Sequence, residues 1–445
     1  MGGGPAPATA ANLDRRLGPL DAAAIIISNV IGGGIFFVPV IVAQLVPNPA
    51  AMLGVWLAGG ALAFAGAMAY AELAAVRPHA GGEYIYLRDA YGPLAAFLTG
   101  WTSFIAGFSG AVAASAVALA DYVGRFIPLA GGAKPVVSIA AIAVLTLIHV
   151  RGLGPGRLVQ NTLAGIKVTA IVVLIALGFA IGHGDGAHLT GGGAVLPLSW
   201  LLALVPVMFS YSGWNAAVYV AEEVRDPSRN VPRALALGTI AVVLIYVALN
   251  ALYVFALPVD RLAALKDGTL MDTVAERLFG FAAANILALF TIVSLAASIS
   301  AMVLAGPRVY FAMARDGIFM RAAGRVHPRF HTPATAILAQ AVWSSVLVLS
   351  GTLSQLVNYT GFAVVLFSAI AVCALFVLRR RDPHAPRPFS AIGYPWAPAI
   401  FVIASAIMVA NAFWREPKTT IAGVAVILFG IPIYYLFRSG RRTQN

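Results

Sequence analysis

An all-α, multi-pass membrane protein is the fold class this sequence predicts, and two observations predict it. Of 445 residues, 60% are hydrophobic and only 10% are charged, with a mean hydropathy of +0.88, whereas soluble domains carry about 25% charged residues. Apolar stretches of about 18 residues or more also recur along nearly the whole chain, each bounded by short polar, Gly/Pro or Arg-rich breaks. Their apolarity is continuous and does not alternate with a period of two, which argues against a β-barrel.

The spacing predicts twelve spans, at 20–45, 51–76, 93–126, 135–150, 159–181, 196–220, 234–257, 281–313, 334–350, 353–378, 396–413 and 420–437. Residues 1–16 read as a disordered N-terminal segment; its first twelve are rich in Gly, Ala and Pro and lack the charged and apolar regions of a cleaved signal peptide. Residues 17–437 form one transmembrane domain and 438–445 a short tail. The longest polar stretches, 183–193 and 258–277, are loops between spans.

The net charge of +12 raises the question of nucleic-acid binding. Its distribution answers it. With the N-terminus inside, 21 of the 29 Lys and Arg residues fall on the cytoplasmic side and seven on the other, leaving Lys167 within a span. This positive-inside bias puts both termini in the cytoplasm of a cell membrane protein and explains the charge without nucleic acid. The single cysteine, Cys373, sits in the tenth span. No intrachain disulfide and no disulfide-linked partner subunit are therefore expected.

Spans one and six are interrupted. The first carries Gly32-Gly33-Gly34 and then Pro39; the sixth carries Pro206 and then Ser210-Tyr211-Ser212-Gly213. Five helices separate the two, so equivalent elements of the two halves cross the membrane in opposite directions. This is an inverted 5+5 repeat, about 17–182 and 196–380, with two further helices at about 395–437. In such an arrangement half-helix N-termini attract an anionic group and unwound carbonyls bind cations. The amides of Gly33 and Gly34 would then hold the carboxylate of an amino acid, while the carbonyls of Val30 and Ile31, beside Gly32, take its ammonium group. The second break offers the carbonyls of Phe209, Ser210 and Tyr211, beside Ser212, with the Phe209 ring as a lid or gate. The plainer alternative for Phe209 is core packing.

Here the residues resemble a known family. The run from Phe209 to Asn215, Phe-Ser-Tyr-Ser-Gly-Trp-Asn, followed by Tyr219-Val-Ala-Glu-Glu-Val-Arg-Asp-Pro, is similar to the sixth-span signature of permeases in the amino acid, polyamine and organocation superfamily, in particular the L-type amino acid transporters. Gly81-Gly-Glu-Tyr-Ile-Tyr, Ala314-Arg-Asp-Gly-Ile-Phe, Val326-His-Pro-Arg-Phe-His-Thr-Pro and Arg387-Pro-Phe match in order and spacing. The resemblance implies a leucine-transporter-like fold with substrate at the two breaks. In one respect the chain departs from it: Gly33 stands where the family has serine, so a hydroxyl that would help bind the carboxylate is absent.

Lys167 lies about nine residues into span five, where a central cation costs about 2.5–3.5 kcal/mol on insertion scales and needs a partner or a cavity. Snorkelling to the surface is the plainer reading. In sodium-independent relatives a lysine at the matching place replaces a bound sodium and touches span one. The resemblance therefore implies that Lys167 either takes up a proton during transport or is a permanent structural cation, with Ser298 of span eight as a neighbour. Glu222 and Glu223 end span six as a solvated cluster with Arg229 or Arg233, or as a cytoplasmic gate.

The inner parts of spans one, three, six, eight and ten contain no Asp or Glu, which favours neutral substrates. The expected function is secondary active transport of amino acids, most of all neutral L-amino acids, as an exchanger or a proton-coupled symporter. Cationic amino acids or polyamines on the same fold are the alternative. A membrane-embedded enzyme would need clustered His, Asp, Glu or Cys, and a channel a filter-like repeat; neither is visible. No cofactor or metal is expected, and the partners are the substrate, protons and the lipid bilayer.

Overall fold

The computed structural model describes residues 13–130, 132–266, 270–280, 283–350 and 353–442. The expected disorder of 1–12 and the last residues of the tail lie outside them. From Leu13, which is buried, the chain is packed, and the final helix runs on to Arg442.

Among the described residues every regular element is a helix. Those that matter below are α1 (Pro19–Val30), α2 (Gly34–Leu45), α3 (Pro49–Val76), α4 (Glu83–Tyr91), α5 (Pro93–Val123), α6 (Ala133–Val150), α7 (Leu153–Ile181), α8 (Pro197–Ser210), α9 (Ala216–Tyr219) and α10 (Pro227–Ala256). Besides short helical turns such as Val259–Ala263, there follow α11 (Leu270–Phe279), α12 (Ala283–Ala305), α13 (Pro307–Arg315), α14 (Ala334–Ser350), α15 (Leu353–Arg381), α16 (Trp396–Arg415) and α17 (Pro417–Arg442). Proline opens α1, α3, α5, α8 and α10, where its fixed φ suits the first turn and its missing N–H would have had no acceptor. Asn48 also caps α3 by accepting from the Ala51 amide at 2.9 Å.

Nine helices among the described residues are long and apolar enough to cross a membrane, and the pair α1 and α2, bent by 53°, makes a tenth. Two shorter apolar helices, Pro197–Ser210 and Ala334–Ser350, accompany them. Each predicted span is covered by a helix or a helix pair; α7 starts at 153 against an expected 159 and α10 at 227 against 234, and the sixth span divides at its break. α5 contains a π-helical turn, Ser103–Gly107, which apolarity alone does not reveal. Such turns add one residue to the helical repeat and often stand at functional sites.

α1 is the central element, packed on α7, α10 and α12. α2 lies against α8, α3 runs along α10, and α5 packs on α12. The Arg-rich end of the bundle is tied together by a one-residue parallel bridge from Leu17 to Val224.

Candidate functional site

Both predicted breaks are present, and they touch. Helix α1 stops at Val30 and α2 restarts at Gly34; a β-carbon on Gly34 would stand 2.8 Å from Ser210 Oγ and 3.1 Å from its Cα. Only glycine allows that approach. In the second break the chain turns between Ser210 and Ala216, with Gly213 at φ +102°, where a side chain would meet Asn29 Nδ2 at 2.5 Å. A single hydroxyl, that of Tyr246 on α10, reaches both breaks: it lies 2.8 Å from the Val30 carbonyl and 3.1 Å from that of Ser210.

A cavity of about 420 Å³ opens beside the breaks. Val30, Gly32, Gly33, Gly34, Phe209, Ser210 and Ser212 line it, and so does Ser298. Gly34 opens α2, so its N–H is one of the first-turn donors that find no acceptor within a helix. At Gly33 the nearest atom to an added β-carbon is Phe37 Cε1 at 4.0 Å, so this position has room for a side chain. Phe209 is 42% exposed although apolar, because its ring stands in the cavity.

Two expected site residues are turned away. Ile31 and Tyr211 are fully buried. The Ile31 carbonyl accepts from Lys167 Nζ at 2.5 Å, and the Tyr211 hydroxyl donates to the Trp56 carbonyl at 3.0 Å. For Ile31 the reason is that a segment leaving the helix must still satisfy its backbone polar groups, and here a side chain of another helix does so.

Lys167 does not snorkel. It is fully buried, with Nζ 3.1 Å from the Ser28 carbonyl, 2.5 Å from that of Ile31 and 3.0 Å from Ser298 Oγ. The three N–H donors of an ammonium thus meet three oxygens at the end of α1. Ser298 in turn lies 2.9 Å from the Ser28 carbonyl, which joins α1, α7 and α12.

At the Arg-rich end, Glu223 forms a two-pronged ion pair with Arg308 of α13, its oxygens 2.9 and 3.0 Å from Nη2, and both side chains are at most 2% exposed. Glu222 accepts from Arg315 at 3.0 Å and from the Ala80 amide at 3.1 Å. The partners are therefore Arg308 and Arg315, in place of the nearer-in-sequence Arg229 or Arg233. Glu223 is thus a buried, paired carboxylate and not part of a solvated cluster. The amides of Arg16 and Leu17 close this end further by donating to the Glu223 carbonyl.

Most of the lining from α5, α12 and α15 was missed, and one further residue carries a charge. Glu83, at the start of α4 and between predicted spans, faces the cavity, so the lining does contain a carboxyl. Its Oε1 accepts from Tyr70 at 2.6 Å, Asn215 at 2.6 Å and Ser368 at 3.2 Å. Burial raises its pKa above the usual carboxylate range, with the donated hydrogen bonds opposing. The signal was present in the Gly81-Gly82-Glu83 run: both glycines have positive φ, of 113° and 52°, which turns the chain inward.

A bundle of apolar helices, two of them interrupted where they meet beside a cavity, defines a membrane transporter. Among the described residues no group of His, Cys, Asp and Glu could hold a metal. The chain matches the model of the amino acid permease family over residues 17–437 and belongs to that family; it is a transporter and not an enzyme. It is 30% identical to the human large neutral amino acids transporter small subunit 2 over 95% of this chain and 80% of that protein. It is 28% identical to the serine/threonine exchanger SteT of Bacillus subtilis, over 95% and 97%, and 30% identical to the human cystine/glutamate transporter, over 96% and 85%.

Proposed function

We propose that the chain transports neutral L-amino acids across a cell membrane by alternating access, as an exchanger or a proton-coupled symporter, through twelve spans arranged as an inverted 5+5 repeat plus two, with both termini in the cytoplasm. The observation that carries this reading is the Gly34–Ser210 contact. It sets the bare amides at the start of α2 beside the second break, on the wall of a cavity of about 420 Å³. A carboxylate fits those amides. The ammonium group is assigned to the second lone pair of the Val30 carbonyl and to the Ser210 and Ser212 side chains. Ile31 is withdrawn from that role, because Lys167 occupies its carbonyl. Phe209 is the lid over the side chain.

The cavity lining is mostly apolar, and its one formal charge is Glu83, already held by three donors. This supports neutral substrates over cationic ones, as do relatives named for large neutral amino acids and for serine and threonine.

The lining continues along α5 from Thr102 to Ala118, which is about 24 Å at 1.5 Å per residue and leads away from the Arg-rich end. The Glu223–Arg308 pair closes that end. We read the conformation as outward-facing and the ion pair as the cytoplasmic gate. Lys167, with three acceptors for three N–H groups, acts as a permanent structural cation holding the end of α1.

Counterflow into proteoliposomes, with radiolabelled serine, threonine, leucine, cystine, glutamate and arginine tested against each internal amino acid, checks the reading. Exchange of neutral amino acids is expected. Failure of all six to exchange overturns it, and strong preference for arginine overturns the substrate class.

A further inference from the structure

Glu83 is a buried carboxyl on the cavity wall, and among the described residues no cation pairs with it. From α3 come Tyr70, which donates to it, and Glu72 and Arg77; from its own helix come Tyr84, Tyr86 and Arg88. The turn after α8 and α9 bring Asn215, Tyr219, Glu222 and Glu223, α13 brings Arg308, and α15 brings Ser368 and Arg379. Every one of those guanidinium groups is engaged with another acid. Arg77 pairs with Asp89, Arg88 with Asp316, Arg308 with Glu223 and Arg379 with Glu72. What faces Glu83 is neutral: Tyr70, Asn215, Ser368 and Tyr219 as hydrogen-bond partners, with Tyr86 near them.

A carboxylate in such a place holds its charge by hydrogen bonds alone, and a proton from cavity water removes the remaining desolvation cost. The Tyr70, Asn215 and Ser368 donors fall on Oε1, and the Tyr219 hydroxyl is a further hydrogen-bond partner of the carboxyl. The segment carrying Glu83 is also fastened to the part of the second break that joins the cavity to the lock. The Gly81 amide donates to the Tyr219 carbonyl at 3.2 Å, and a β-carbon on Gly82 would lie 2.7 Å from the Tyr219 ring. Asn215 itself donates to Glu83, two residues after Gly213 and eight before Glu223.

We propose that Glu83 is a proton-binding site of the transport cycle, linking amino acid movement to the proton gradient. It takes a proton from outer water while the cavity faces outward and releases it to the cytoplasm once the Glu223–Arg308 lock opens. No other bond is made or broken, and one positive charge travels with the zwitterion. Protonation turns one carboxyl oxygen into a donor and weakens the carboxyl as an acceptor. The hold of Tyr70 and Asn215 then loosens, which frees the α9 segment to move. This inference rests on the transporter reading above.

The test is the ratio of serine uptake with an acidic exterior to uptake at symmetric neutral pH, in proteoliposomes without internal amino acid. Wild type is expected to give a ratio of several-fold and Glu83→Gln a ratio near one. The ratio is read instead of the rate, because the substitution also lies on the cavity wall. Should Glu83→Gln move no serine at all, proton uptake by wild type on adding serine, followed with a pH-sensitive dye in weak buffer, decides the matter. A Glu83→Gln ratio equal to wild type, a wild-type ratio of one, or the absence of proton uptake in wild type overturns the proposal. Loss of serine counterflow in wild type would instead count against the transporter reading itself.

Discussion

Gly34 and Ser210 meet across the two broken helices so closely that a single methyl group does not fit: a β-carbon on Gly34 would lie 3.1 Å from the Ser210 backbone and 2.8 Å from its hydroxyl. One residue earlier, at Gly33, the nearest atom is 4.0 Å away. Two adjacent glycines thus have opposite tolerances. Gly34→Ala is expected to push the breaks apart, at about 1–3 kcal/mol for overpacking, and to lower serine exchange at least several-fold. Gly33→Ser, which restores the hydroxyl of the family pattern, is expected to keep exchange and to lower the concentration needed for half-maximal uptake. Equal loss in both variants would show that the glycines act only through backbone freedom.

The Tyr246 hydroxyl shares its one proton between the Val30 and Ser210 carbonyls, at 2.8 and 3.1 Å. Tyr246→Phe removes that bridge without changing the ring, which packs edge-on against Trp56. A net hydrogen bond contributes about 0.5–1.5 kcal/mol, so serine affinity is expected to fall by about two- to tenfold. Fluorescence-monitored unfolding should change little. A large drop in thermal stability with unchanged affinity would assign the hydroxyl to the fold instead of the site.

The helices were legible because lipid imposes continuous apolarity, and the breaks because glycine and proline interrupt it. Which carbonyls remain free was not legible, since Ile31 is engaged by Lys167 from a helix more than a hundred residues away. Glu83 was overlooked for a similar reason. It belongs to no span, and only the paired positive-φ glycines at 81 and 82 carry it to the cavity. The partners of Glu222 and Glu223 were misassigned to nearby arginines because their pairing with Arg315 and Arg308 of α13 is a tertiary event.

Lys167→Met keeps most of the side-chain volume but takes two hydrogen bonds from the end of α1 and one from Ser298 of α12. Each buried acceptor left unmatched costs about 1–3 kcal/mol. The variant is expected to unfold at lower temperature and to lose most exchange. As a structural cation, Lys167 leaves the proton dependence to Glu83. Whatever uptake survives in Lys167→Met should therefore keep the wild-type ratio between acidic and neutral exteriors. A ratio of one in this variant would return Lys167 to the role of proton acceptor.

The Glu223–Arg308 pair tests alternating access directly. Both side chains are at most 2% exposed, so removing one leaves the other buried and uncompensated, at about 3–5 kcal/mol. That cost falls only on the closed arrangement, because opening the Arg-rich end lets water reach the orphaned charge. Arg308→Ala should therefore shift the population toward the inward-open form. The single native cysteine simplifies the measurement. In a Cys373→Ala background, a cysteine placed at Ala217, fully buried beneath the lock, should be slow to react with a membrane-impermeant maleimide from the cytoplasmic side. It should react at least tenfold faster once Arg308 is alanine. Replacing both partners by apolar residues of similar size should restore slow labelling, since the penalty belongs to the unpaired charge. Unchanged labelling in Arg308→Ala would mean that this end is held shut by other contacts, such as the amides of Arg16 and Leu17 on the Glu223 carbonyl.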